Sequence, residues 1–493
     1  MSEQIRSSAE YNRRAIIEGL RAGHSQIIRF FGYPKPTVYD VAAKFFASKN
    51  STEGSANSTK KRHSKEKAVR TPEIIAKTQQ YISEDPGQSL TKVAKTLDIL
   101  CIDSLQIRVN RMLLLAVGLW PYQQSKLVQF QLIPFFTILT SFIIFQFTAF
   151  LTSKCTLDLL INVLSSILFY TLFVVKYSWF HINIEDVKCL LEQLQNSYKK
   201  LTDENEISII KKYSSYAKRY TAGLILILTF MGPVIIYEFC PKFFDILLSI
   251  NESRRFSPRK IIVTEYFINQ KKYLYLILLH ANTALLIGII ALLATGTILI
   301  VYLQYACGMF RIACYRIEQS MAVDALRKGS LRNKNLTFQK LICAVNMHRE
   351  AMKFSNSSIS RFKVMFSFMI VIGLVSGCLS FFRLFQGLSL GHDVEEIMLP
   401  LTSCLIYLMY LFLGNYIAQE IMDHNNDVFI TAYSIQWYTA SLKVQKMILF
   451  LLQRSTKVFN LNIAGFFVGS LETAAAIFST ELSYFTVLYS IQN

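Results

Sequence analysis

Seven apolar runs, each about long enough to cross a bilayer, constrain this chain more than any other feature. They lie near residues 131–151, 157–177, 222–240, 274–303, 364–386, 397–418 and 463–489, and each is Leu, Ile, Val and Phe with few charges. A helix needs about 20 residues to cross a hydrocarbon core of roughly 30 Å. Inside lipid, only a helix satisfies its own backbone over such a run. One run alone would read equally well as a buried core helix. Seven, separated by polar, Lys-bearing stretches, read as membrane spans. Composition agrees: 52% of residues are hydrophobic and 17% charged, with a mean hydropathy of +0.33, whereas soluble domains carry about a quarter charged. The expected fold is therefore all-α, a seven-transmembrane helix bundle.

The formal charge of +19 is distributed unevenly. Residues 1–99 hold 17 Lys and Arg against 10 Asp and Glu and contain no long apolar run. Met1 to Leu20 is polar and charged, without the apolar stretch of a secretory signal. A cytoplasmic N-terminus places 42 of the 52 Lys and Arg in cytoplasmic segments and eight outside. The positive-inside rule therefore predicts N-terminus cytoplasmic, C-terminus extracellular. The stretch 241–273, with Arg254, Arg255, Arg259 and Lys260, argues the other way locally. Under this orientation Asn251 is the one lumenal glycosylation acceptor, while Asn50, Asn57, Asn335 and Asn356 stay inside. No Asp-Arg-Tyr follows the third run and no Asn-Pro-x-x-Tyr lies in the seventh. Direction and motifs both disfavour a G-protein-coupled receptor.

The last run is rich in small residues, among them Gly465, Gly469, Ala474, Ala475, Ala476, Ser479 and Ser483. Small residues let helices approach closely. The same run carries Glu472 and Glu481, which a helix turns to opposite faces. Intramembrane carboxylates are costly and normally face water or a partner. Glu481 reads either as part of a cation-attracting ring at the outer mouth or as a subunit-interface hydrogen bond; Glu472 reads as structural. The nine Cys show no zinc spacing, and no protease, hydrolase, P-loop or dinucleotide motif occurs. The chain is expected to be no enzyme and to need no cofactor or metal.

The C-terminal region reads Ala432-Tyr433-Ser434-Ile435-Gln436-Trp437-Tyr438, then Arg454-Ser455-Thr456-Lys457, Gly465-Phe466-Phe467 and Ser483-Tyr484-Phe485-Thr486-Val487-Leu488. Before the first run stand Asn110-Arg111-Met112-Leu113 and Gly118-Leu119-Trp120-Pro121. This pattern, over about 101–493, resembles the insect odorant receptor family, and more its odorant-tuned subunits than the shared co-receptor. The resemblance implies an odorant-gated, non-selective cation channel in the plasma membrane of sensory neurons. It implies a heterotetramer with the co-receptor, around a pore lined by the helix of 463–489. It places a cytoplasmic subunit anchor at Trp437, Tyr438, Arg454 and Lys457, and a hydrophobic constriction near Val487 and Ile491. Leu488 has the same gating chemistry, as any span end does. It also implies a pocket for a small volatile or apolar ligand in the outer half of helices two to six. Candidates there are Ser165, Met231, Tyr237, His280, Thr283, Phe382, Phe385, Cys404 and Tyr407. A gustatory-type channel and a pore-less signalling receptor are the neighbouring readings.

Residues 1–99 fall outside that pattern. Ser8 to Arg21, Gly23-His24-Ser25 and Pro36-Thr37-Val38-Tyr39 suggest helix, turn and helix, and a second unit begins at Thr71-Pro72-Glu73. Both resemble the N-terminal DNA-binding units of mariner-type transposases. The second breaks off near Leu97 to Ile102, and no catalytic domain follows. Nucleic acid is not an expected partner. The segment is expected to be a small helical appendage of a receptor domain spanning 100–493.

Overall fold

The computed structural model describes residues 105–123, 126–152, 156–230, 264–269, 272–326, 331–391, 394–455, 459–463 and 467–492, all within one compact unit. The helix-turn-helix reading of 1–99 lies outside these residues. So do the lumenal acceptor Asn251, the pocket candidates Met231 and Tyr237, and the anchor residue Lys457.

The described chain is almost wholly helical. A short amphipathic α1 (Arg108–Ala116) precedes the first span. It stops where Gly118 turns left-handed, at φ +71°. Leu119 N–H then reaches back to the Leu114 carbonyl at 2.8 Å and Gly118 N–H to that of Leu115 at 3.2 Å, a pattern that a glycine makes easy. The Tyr177 hydroxyl donates to the Val117 carbonyl at 3.0 Å and ties this turn to the bundle.

The remaining helices follow in chain order. They are α2 (Lys126–Phe147), a single turn α3 (Ala149–Thr152), α4 (Leu157–Ile182), the amphipathic α5 (Ile184–Lys199) and α6 (Glu204–Phe230). Thr156 caps α4, its hydroxyl accepting the Leu159 N–H at 3.2 Å. After them come α7 (Leu274–Leu326), α8 (Leu331–Ser360), α9 (Lys363–Ser389), α10 (Val394–Ser434) and α11 (Leu442–Ser455). The chain closes on a two-stranded hairpin, β1 (Asn462–Ile463) with β2 (Phe467–Val468), and on α12 (Leu471–Gln492).

Five described helices are long and apolar enough to span a bilayer: Phe130–Thr152, Leu157–Ile182, Leu276–Met321, Lys363–Ser389 and Pro400–Ser434. The third expected run starts within α6 and leaves the described residues after Phe230.

Three expectations on element bounds are corrected. The run expected at 274–303 continues unbroken to Leu326, 53 residues in all, which is about 80 Å of helix at 1.5 Å per residue. α8 folds back along this extension. Leu341, Ala344, His348, Ala351 and Ser355 are buried, a stripe at alternating spacings of three and four that seats one helix on another. Similarly, the run at 397–418 extends to Ser434. The stretches read as polar loops are therefore mostly helix, because a sparse apolar stripe suffices for packing where charges occupy the other face.

The third correction concerns the last span. It begins at Leu471 rather than near 463, with a hairpin before it, so the fold is helical with one small β element. The Ser470 hydroxyl accepts the Thr473 N–H at 3.1 Å and starts the helix. Gly469 sits where a Cβ would come within 2.7 Å of Ile463 and closer still to Ala418. Glu472 falls in the exposed first turn of α12, where the helix dipole favours a carboxylate.

Candidate functional site

A cavity of about 230 Å³ lies where α4, α7, α9, α10, the hairpin and α12 converge. Its wall is mainly hydrocarbon, with Phe173, Leu292, Ile300, Met369, Ile406 and Ile477 among the lining residues. An apolar, concave chamber with a few polar groups is the usual form of a small-molecule site.

Two tyrosines one helical turn apart on α10 organise it. Gly373 and Gly377 on α9 make room for Tyr407: a Cβ at either would stand 3.0 and 2.9 Å from its ring. The Tyr407 hydroxyl donates a short hydrogen bond to Oε1 of Glu481 on α12. Glu481 is fully buried, and its second oxygen, Oε2, has no hydrogen-bond partner. The Tyr410 hydroxyl donates to the Leu292 carbonyl at 2.6 Å. Against the face of that ring, 4.4 Å from its centroid, lies the Lys176 ammonium. A lysine held at membrane depth costs about 3 kcal/mol on insertion scales, so the bundle carries a destabilising group in its cavity wall.

Of the seven pocket candidates among the described residues, Tyr407 alone lines the cavity. On α4 and α7 the cavity's lining residues, from Phe169 to Lys176 and from Leu292 to Leu303, follow the candidates Ser165, His280 and Thr283 in the chain. Ser165 is buried but accepts a hydrogen bond from Arg383 Nη1 at 3.0 Å. His280 is held between Ser141 Oγ at 3.1 Å and the Tyr266 hydroxyl at 2.8 Å. Thr283 returns its hydroxyl to the Leu279 carbonyl at 2.6 Å. Phe382 packs with Ile161 and Leu379. Phe385 is exposed and meets the Phe485 ring at a tilt of 34°, with centroids 4.8 Å apart. Cys404 is buried behind the wall.

The pore candidates divide by face. Val487 is exposed on the outside of the chain. Leu488 turns inward, packing on the Ile161, Leu379 and Phe382 cluster. Glu481 also turns inward, onto α9 and α10, so it is placed neither as an exposed ring nor at an open interface. Residues 481 and 488 are seven apart and share a face, while 487 stands about 100° away from 488. Ile491 belongs to α12 by its backbone; its side chain is outside the described residues. Of the residues expected at an anchor, Trp437 is half-buried, Tyr438 and Arg454 are exposed, and the two rings lie 6.4 Å apart.

Comparison with known proteins decides the family. The profile of the 7tm odorant receptor family matches residues 156–481. This chain belongs to the 7tm odorant receptor family. The receptor's fold is also similar to solved structures of the insect olfactory receptor OR5 from Machilis hrabei. The complex of that protein with eugenol matches with a TM-score of 0.59 at 18% identity, covering 78% of this chain and 98% of the other. A second structure of that protein matches with a TM-score of 0.57 at 16% identity, with the same coverage. Comparison with curated proteins finds none that matches. The chain is thus an odorant receptor, a multi-pass membrane protein of helices and not an enzyme. The transposase resemblance of residues 1–99 finds no support in these comparisons.

Lys176 is not among the candidates that the sequence offered. The signal was available: an ionisable residue inside a span is a functional candidate by default.

Proposed function

We propose that this receptor is a subunit of an odorant-gated, non-selective cation channel, working with the family's shared co-receptor in a heterotetramer of sensory-neuron plasma membrane. One observation carries the reading: Tyr407 lines the cavity with its ring and holds Glu481 of the last helix with its hydroxyl. A ligand in the cavity therefore presses on Tyr407, which holds α12 through Glu481, and on Thr473 and Ile477 of α12 itself. When that link shifts, α12 moves, and a pore lined by its exposed face widens. A constriction at Val487 and Ile491 would close by excluding water between apolar side chains and open as the helices separate. The orientation that fits is N-terminus cytoplasmic, with Trp437, Tyr438, Arg454 and Lys457 at the subunit anchor.

The test is current in cells expressing the chain with and without the co-receptor, under a panel of volatiles. The expected result is a cation current only on co-expression, surviving G-protein block and abolished by Val487→Trp. Current that vanishes under G-protein block would replace the channel with a signalling receptor. Glycosylation at Asn251 alone checks the orientation; modification at Asn335 or Asn356 would reverse it.

A further inference from the structure

The cavity holds a positive group that meets no anion among the described residues. Lys176 is 4% exposed, and the ring of Tyr410 is the partner its ammonium meets. A π face attracts a cation but accepts none of its three N–H donors as an oxygen would. The buried carboxylate of Glu481 is not among the residues that line the cavity, and its Oε1 is engaged by Tyr407.

Snorkelling is the ordinary fate of a lysine near a span end, and the geometry here opposes it. Lys176 stands six residues before the end of α4 at Ile182. Helical side chains lean toward their helix's N-terminus, so this one leans away from that end and into the bundle. Its tip reaches Tyr410, whose hydroxyl is fixed on Leu292 in the middle of the apolar part of α7.

Size narrows the occupant. A cavity of about 150 Å³ holds benzene, so by the same ratio 230 Å³ takes about nine heavy atoms. We infer that the cavity selects an apolar ligand of that size ending in one oxygen acceptor, a carboxylate before a carbonyl, and that Lys176 recognises that end. The inference rests on the proposed role of this cavity as the ligand site. It adds the chemical class.

An eight-carbon series tests it: octanoate, octanal, 1-octanol and octane, offered to the purified full-length receptor, with binding read from the shift in its melting temperature. The wild type should bind octanoate at least tenfold tighter than octane, with octanal between. Lys176→Met, close in length and free of the buried charge, should fold at least as well, lose that tenfold and keep octane within twofold. Lys176→Arg should retain the order. Equal binding of octanoate and octane by the wild type, or an acid preference that survives in Lys176→Met, overturns the inference. Currents recorded with the same ligands separate the two claims. Acid-selective binding without current sinks the channel reading and leaves this one standing. Current without acid selectivity does the reverse.

Discussion

Two helices that line the cavity, α7 and α12, treat their surroundings in contrary ways. α7 is the most apolar span, and 89% of its most apolar stretch is buried inside the chain. It packs on α4, α6, α8 and α10. α12 packs on α9 and α10 and leaves Thr480, Ser483, Thr486 and Val487 exposed. If lipid were the partner of every exposed face, the greasier helix would be outside. The reverse arrangement shows that burial follows packing: lipid is as apolar as leucine and offers no hydrophobic gain for sorting helices. The polar face of α12 is made tolerable by local bonds. Thr480 donates to the Ala476 carbonyl at 2.8 Å and Ser483 to that of Ser479 at 2.9 Å.

The strongest break of this contrast is at Gly288 on α7, where a Cβ would fall inside the Phe173 ring. Gly288→Val should cost about 3 kcal/mol or more by overpacking, seen as loss of the monodisperse peak when the solubilised receptor is chromatographed. A normal elution profile would mean that α7 and α4 separate easily.

Next in size is the link between the cavity and α12. Tyr407→Phe leaves a buried Glu481 without its donor and should cost about 1–3 kcal/mol. Its melting temperature should fall, and the ligand concentration giving half-maximal current should change. A drop in stability with an unchanged response would make the bond structural only.

The extension of α7 outside the membrane supplies a pH test. His348 on α8 packs against Phe310 with centroids 5.8 Å apart. Its Nε2 donates to Asn425 Oδ1 at 2.8 Å. Burial pushes its pKa below the usual imidazole value, with the hydrogen bond to Asn425 opposing and Arg454 assisting. The folded state thus resists protonation more than the unfolded chain. The stabilising contribution is intact above pH of about 6.5 and declines as pH falls below it, by at most about 1.4 kcal/mol per unit. His348→Gln should flatten that part of the stability curve; an unchanged slope would assign it to other groups.

The smallest expected effect is on the bare face. Ser483→Leu should alter the stability of the isolated subunit by less than about 0.5 kcal/mol, while reducing co-assembly or current. If assembly and current are both untouched, lipid faces Ser483 and the contrast between the two helices is one of composition alone.

Much of this architecture was legible in the residues. The first, second and fifth runs appear as α2, α4 and α9 close to their expected bounds, because unbroken Leu, Ile, Val and Phe leave no alternative to helix in lipid. The opposite facing of Glu472 and Glu481 also held, since helical angle follows from spacing alone. The extensions of α7 and α10 were not legible. Their apolar stripes are thin and become meaningful only once α8 lies against them. The place of this cavity was not legible for a related reason: it depends on where Gly373 and Gly377 admit the Tyr407 ring.

The sequence by itself determined the membrane-helical class, most span positions and the family's C-terminal motifs, because run length and periodicity are local properties of a chain. Tertiary structure alone decided that Lys176 meets Tyr410, that Tyr407 meets Glu481, and which faces of α12 are bare. Those pairings join residues far apart in the chain, and they are selected by packing among several helices at once, which no single segment encodes.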